Sequence, residues 1–214
     1  MASVRQMSKM ECDMGEMVKV SFDRDEMRAI KRAITNDRPF ADRISLSFAV
    51  RLLSIKADLR EDHFVLDEID YLEGLRPPLN TKPAEQFRHP PLHPLWHKHY
   101  SAPRHLLKNI GIRWNLDGSG NKDLLSMLGE VANTHGKMPD QWPKVVVDRL
   151  VIGGFIDRTK RGLTGDWIIF GKHGGRNFYL DLATHNEGKQ GVPSERLYQK
   201  LRDGSAAEFP FLFE

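Results

Sequence analysis

The chain has 214 residues, a net charge of +3 and 40% hydrophobic against 29% charged residues, the profile of an ordinary globular protein. Its single cysteine, Cys12, excludes an internal disulfide and a multi-thiolate metal site, and points to a reducing cytoplasm. No apolar run approaches the roughly 20 residues that cross a bilayer, and the N-terminus MASVRQMSKMECDMGEM lacks the apolar stretch of a secretory signal, so no membrane partner is expected.

In chain order, Val18–Phe22 alternates as a short strand would. Asp23 stands three residues before Glu26, a capping-box spacing that predicts a helix through Thr35 with Met27, Ile30 and Ile34 on one face. Arg43–Lys56 fits both a strand and a helix pattern, and its length favours the helix. Phe64–Leu75 is a further short element. Pro77, Pro78 and Pro83 mark a linker, and Pro90, Pro91 and Pro94 forbid a regular helix between Arg88 and Leu95. A helix follows Pro103 as far as Gly111, and Asp117–Gly120 forms a joint. A second helix begins at Asn121 and is closed by Gly136; a third is opened by Pro143. Gly154–Arg158 reads as a strand. Asp166–His173, Gly174–Gly175 and Arg176–Thr184 read as a β-hairpin. Ser194–Leu201 suggests a helix and Phe209–Phe213 a final strand or apolar tail.

The expected fold class is α+β: an N-terminal mixed helical region, then a small antiparallel sheet packed on helices. The expected divisions are an N-terminal α/β region (1–85), a Pro/His-rich basic connector (86–120) and a C-terminal α+β domain (121–214) carrying the hairpin 166–184.

Charge is segregated along the chain. From Gln86 through Leu116 there is no Asp or Glu, while Arg88, Lys98, Arg104, Lys108, Arg113 and five histidines fall in that window. It includes HPPLHPLWHKHY, residues 89–100, with four of the nine histidines. His97 and His99, pointing to one side with His93 or His89 as a third ligand, would suit zinc, but no carboxylate or thiol stands nearby to complete a shell. A solvated connector is the plainer reading. The third is a surface for a phosphate backbone, with imidazoles and cations beside Trp96, Tyr100 and Trp114. The residues expected to bind nucleic acid, RNA in preference, are Arg88, Lys98, Tyr100, Arg104, Lys108, Arg158, Lys160 and Arg161.

The second constellation lies on the hairpin. Period-two alternation puts Asn177, Tyr179, Asp181, Ala183 and His185 on a polar face, with Phe178, Leu180, Leu182 and Thr184 on an apolar one. A solvated sheet surface would look the same. The sharper reading makes Lys172, His173, Arg176, Tyr179 and His185 a catalytic set for cofactor-free RNA cleavage, in which a base removes a ribose 2′-hydroxyl proton and cations steady the phosphate. Helices, antiparallel strands and basic, His and Tyr groups over 121–214 resemble bacterial toxin ribonucleases of the RelE, barnase and EndoU kind. The resemblance implies an RNA-cleaving, toxin-like activity without a metal or other cofactor, but transfers no residue by position.

Two other readings fit. The helices 124–135 and 144–151 with the predicted strand at 154–158 could form a winged helix-turn-helix, Lys160-Arg161-Gly162 serving as the wing. A non-enzymatic factor with an acidic or inhibitory protein partner is the third. P-loop, GxGxxG, GxSxG and HExxH signatures are absent.

Overall fold

The computed structural model describes residues 23–116, 118, 120–135 and 141–214. The predicted strand Val18–Phe22, the Gly136 cap and part of the 117–120 joint lie outside them. Asp23 caps α1 (Arg24–Ile34) through the expected reciprocal box with Glu26. Ser45 caps α2 (Leu46–Leu59) by accepting from the Phe48 N–H, so the ambiguous segment is helical. α3 (Asp62–Leu72) follows. The strands are β1 (Glu85–Gln86), β2 (Trp96–Tyr100), β3 (Asp166–His173) and β4 (Arg176–Ala183), all antiparallel in the order β1-β2-β3-β4. Between β2 and β3 come α4 (Leu106–Trp114), α5 (Lys122–His135), α6 (Trp142–Val147) and α7 (Gly154–Arg161); α8 (Val192–Ser205) follows β4. The fold is α+β, and no helix among the described residues is long and apolar enough to cross a membrane.

Both faces of the sheet are covered. Tyr100, Ile168, Phe170, Tyr179 and Leu182 pack against Phe40, Phe48, Leu52, Leu66 and Ile69 from the N-terminal helical layer. On the other face Trp167, Ile169, Leu180 and Ala183 pack against Leu197 and Leu201 of α8 and against Phe209. Phe209–Phe213 is therefore an apolar tail, containing a 3-10 turn at Pro210–Leu212 rather than a strand.

This overturns the expected division of β4 into polar and apolar faces. Ile169 pairs with Asp181 but the adjacent Phe170 pairs with Tyr179, leaving Leu180 as the extra residue of a bulge. One extra residue inverts the alternation. Tyr179 and Leu182 consequently share one core, and Leu180 and Ala183 the other.

The predicted strand at Gly154–Arg158 is also corrected. A π-helical turn at Asp148–Gly153 joins α6 to α7, so the helical path runs from Trp142 to Arg161. Gly154 is needed for packing: a Cβ there would press into the Trp114 indole, whose Nε1–H donates to the Leu150 carbonyl at 2.8 Å. Phe155 joins the small core of Ile110, Trp114, Met127 and Val131. Lys160 and Arg161 end a helix, and no wing hairpin forms there.

Candidate functional site

Strand alternation in β2 sends Trp96, Lys98 and Tyr100 toward the N-terminal helices and His97 and His99 toward the α8 side. Trp167, the cross-strand partner of His99, lies between them. Its ring centroid is 4.6 Å from that of His97 and 6.0 Å from that of His99.

His185 arrives from beyond the end of β4. Glu187 Oε2 accepts from the Thr184 N–H at 2.7 Å and its hydroxyl at 2.9 Å, tightening a turn over Thr184–Glu187. That turn brings the His185 ring to 4.6 Å from Trp167 and 4.9 Å from His99. Gly188 makes the approach possible, since a Cβ there would overlap the Trp167 ring. Three histidines from two strand ends thus surround one indole. Phe87 closes the side next to His97, at 4.7 Å.

Burial holds these rings neutral. It lowers His97 to about 4 and His99 to about 3, with neighbouring imidazoles and Lys82 adding to the effect. His185 is lowered by burial and then by the charges of Lys108 and Lys82. His99 Nδ1 lies 3.4 Å from the Gly165 carbonyl, a long contact that favours a proton on Nδ1 and a free lone pair on Nε2. His97 Nδ1, His185 Nε2 and Trp167 Nε1 are buried without a hydrogen-bond partner. Three polar atoms in one cluster thus have unused hydrogen-bonding capacity.

The surroundings are fixed rigidly. Buried Asn109 on α4 accepts from the Thr164 N–H at 2.9 Å and donates to its carbonyl at 2.7 Å, locking the chain just before Gly165. His105 Nε2 stands 3.3 Å from Asp166, and Arg104 donates to the same carboxylate. Burial would raise the Asp166 carboxyl, but these two partners hold it below the usual range. Asp166 is committed to them. Among the described residues no group of three or more His, Cys, Asp or Glu is arranged to hold a metal ion. His89 and His93, the suggested third zinc ligands, are exposed on the proline loop.

Of the catalytic set expected on the hairpin, only His185 reaches this cluster. Lys172, His173 and Arg176 are exposed at the opposite end of the hairpin, roughly 20 Å away for an eight-residue strand. Lys172 lies 3.7 Å over the Trp96 ring and His173 packs on Phe211. Tyr179 is fully buried, its hydroxyl donating to Glu73 at 2.6 Å, and cannot meet a substrate.

The acid-free window is acid-free only in sequence. Buried Lys98 pairs with Glu68, Arg104 with Glu61 and Asp166, and Arg113 with Asp123 and Asp157. Tyr100 is buried, accepting from Arg104. Arg158 is buried too and donates to the Gly162 carbonyl at 2.9 Å. Lys98, Tyr100 and Arg158 are therefore unable to form the expected binding surface. Arg88, Lys108, Lys160 and Arg161 are exposed.

From sequence, His97 and His99 fit zinc ligands, a solvated connector or a phosphate-facing surface alike, and Lys82 carries no signal. The HKH alternation in WHKHY was the available signal for two histidines on one side of a strand. Comparison of the chain with protein-family models, with curated proteins and with solved structures gives no match.

Proposed function

We propose that this protein binds RNA and cleaves it as a toxin-like, metal-independent endoribonuclease, with the half-buried His97 and His185 as the reacting groups and buried His99 packed against both. The observation that carries the reading is the cluster of three neutral imidazoles around Trp167, with Lys82 and Lys108 close enough for their charges to bear on it. His97, which is half-buried, takes the proton from a ribose 2′-hydroxyl as the 2′-oxygen bonds to phosphorus, with buried His99 packed beside it. His185, which takes a proton from solvent when the phosphodiester anion lies beside it, gives that proton to the departing 5′-oxygen. The products are a 2′,3′-cyclic phosphate and a 5′-hydroxyl. Lys82 and Lys108 face the charge that develops on the non-bridging oxygens. The step needs a base, an acid and cations, and the cluster supplies each.

A reducing cytoplasm, suggested by the single cysteine, is the proposed compartment. The test is incubation of the purified protein with total RNA and, separately, duplex DNA in excess chelator. Fragmentation of RNA alone is expected; retention of duplex DNA with intact RNA would sink the reading.

A second reading, a factor that docks a protein partner, draws on the helical layer. Leu125, Val147, Ile152 and Ile156 are exposed on α5, α6, the π turn and α7. Exposed apolar groups in such density mark association surfaces. An inhibitory partner there is compatible with a ribonuclease at the sheet end.

A further inference from the structure

The central residue of the HKH triplet raises a separate question. Lys98 points away from His97 and His99, into the protein, where its side chain is 1% exposed and that of its partner Glu68 is 2% exposed. Removing two opposite charges from water commonly costs more than their attraction returns, so stability alone is a poor reason for such a pair. The bonding of the pair shows what else it does.

Lys98 Nζ forms an ion pair with Glu68 Oε2 at 2.9 Å and donates to the Lys82 carbonyl at 2.7 Å and to the Thr81 hydroxyl. Glu68 Oε1 accepts from the Thr81 hydroxyl at 2.7 Å. Both charged groups therefore spend bonds on Thr81–Lys82, in a segment between α3 and β1 that has no helix of its own. The opposite side of that segment is held as well. The Leu163 N–H donates to the Asn80 carbonyl at 2.7 Å, and the Lys82 N–H to the Leu163 carbonyl at 3.2 Å. Gly162 lies so close that a Cβ would stand 3.2 Å from the Lys82 nitrogen. The Lys82 main chain is thus clamped between Lys98 Nζ and Leu163, two residues before the Gly165 carbonyl that faces His99 Nδ1, and the lysine's charge bears on all three histidines.

We propose that the buried Lys98–Glu68 pair is a positioning device, which holds the Lys82 ammonium beside the histidine cluster through Thr81 and the Lys82 carbonyl. The value of that position rests on the ribonuclease reading; the positioning itself does not. One strand then builds the site from both faces, with two imidazoles on one side and the anchor for a cation on the other.

The test is the titration of the histidine ring protons by NMR, without substrate, alongside kcat and KM on RNA. Lys82→Met removes the charge and is expected to raise the histidine pKa values by about half a unit. The Glu68→Gln/Lys98→Met double variant leaves no lone buried charge, and Thr81→Val removes only the link. Both keep Lys82, and both are expected to reproduce the rise, with kcat down about tenfold. Wild-type titrations in a folded double variant would overturn the proposal. If the double variant does not fold, wild-type titrations in Thr81→Val overturn it. Wild-type protein that leaves RNA intact refutes the ribonuclease reading, while the titrations still decide the positioning.

Discussion

The two ends of the β3–β4 hairpin carry the same kinds of residue in opposite states. At the turn, Lys172, His173 and Arg176 are exposed and screened by solvent. At the other end, His185 meets His97 and His99 around a buried indole, and all three rings are pushed toward neutrality. A cluster of cationic residue types does not make a site. Groups held without water and left with unused lone pairs do, because only there are base strength and orientation fixed before a substrate arrives.

The largest effect should separate the two ends. His97→Ala or His185→Ala is expected to slow RNA cleavage by about 10²–10⁴-fold, the usual worth of a positioned acid or base. The combined Lys172→Ala, His173→Ala and Arg176→Ala variant should stay within about threefold of wild type. Equal losses at both ends would erase the distinction.

Gly188→Ala sharpens the contrast through packing. The new methyl must displace Trp167 or the turn that carries His185, at a cost of about 1–3 kcal/mol. Thermal unfolding should record the lower stability, and cleavage should fall with it as His185 moves. Tyr179→Phe should do one without the other. It removes a buried hydrogen bond to Glu73 and lowers stability by about 1–2 kcal/mol, while the rate per folded molecule is unchanged.

The smallest effect at neutral pH is electrostatic. His99 has its pKa lowered to about 3 in the folded protein, so below the ordinary value near 6.5 the unfolded chain binds the extra proton. Stability is complete above that value. It falls with pH on the order of 1 kcal/mol per unit from this residue until the folded pKa is reached. Denaturant melts at pH 7, 5.5 and 4.5 should show the slope, and His99→Asn should reduce it. An unchanged slope would place His99 in water.

Much of the frame was legible in local chemistry. The Asp23–Glu26 box, the hairpin about Gly174–Gly175 and the proline interruption before β2 are all decided by residues within a few positions of one another. What failed depended on distant partners. The bulge at Leu180 arises where two strands pair, so nothing within β4 announces that Tyr179 turns into the core. Arg104 looks free until Glu61 and Asp166 come to it. Gly154–Arg158 reads as a strand in isolation, but the nearby Trp114 makes Gly154 a helix-packing residue. The candidate cluster was half legible: the HKH alternation puts His97 and His99 on one side of a strand, but their meeting with His185 depends on the turn after β4. Lys82 sat unmarked in a proline linker because its placement is made by Lys98, Thr81 and Leu163.

The central claim is that the sheet-end histidines, and not the hairpin turn, cleave RNA. Its most direct measurement is the product ends from a short defined RNA, read by mass spectrometry after incubation in excess chelator. Wild type and the hairpin-turn triple variant should both yield 2′,3′-cyclic phosphate and 5′-hydroxyl termini, and His97→Ala should leave the RNA intact. Intact RNA with wild type, or the same termini from His97→Ala, would contradict the account.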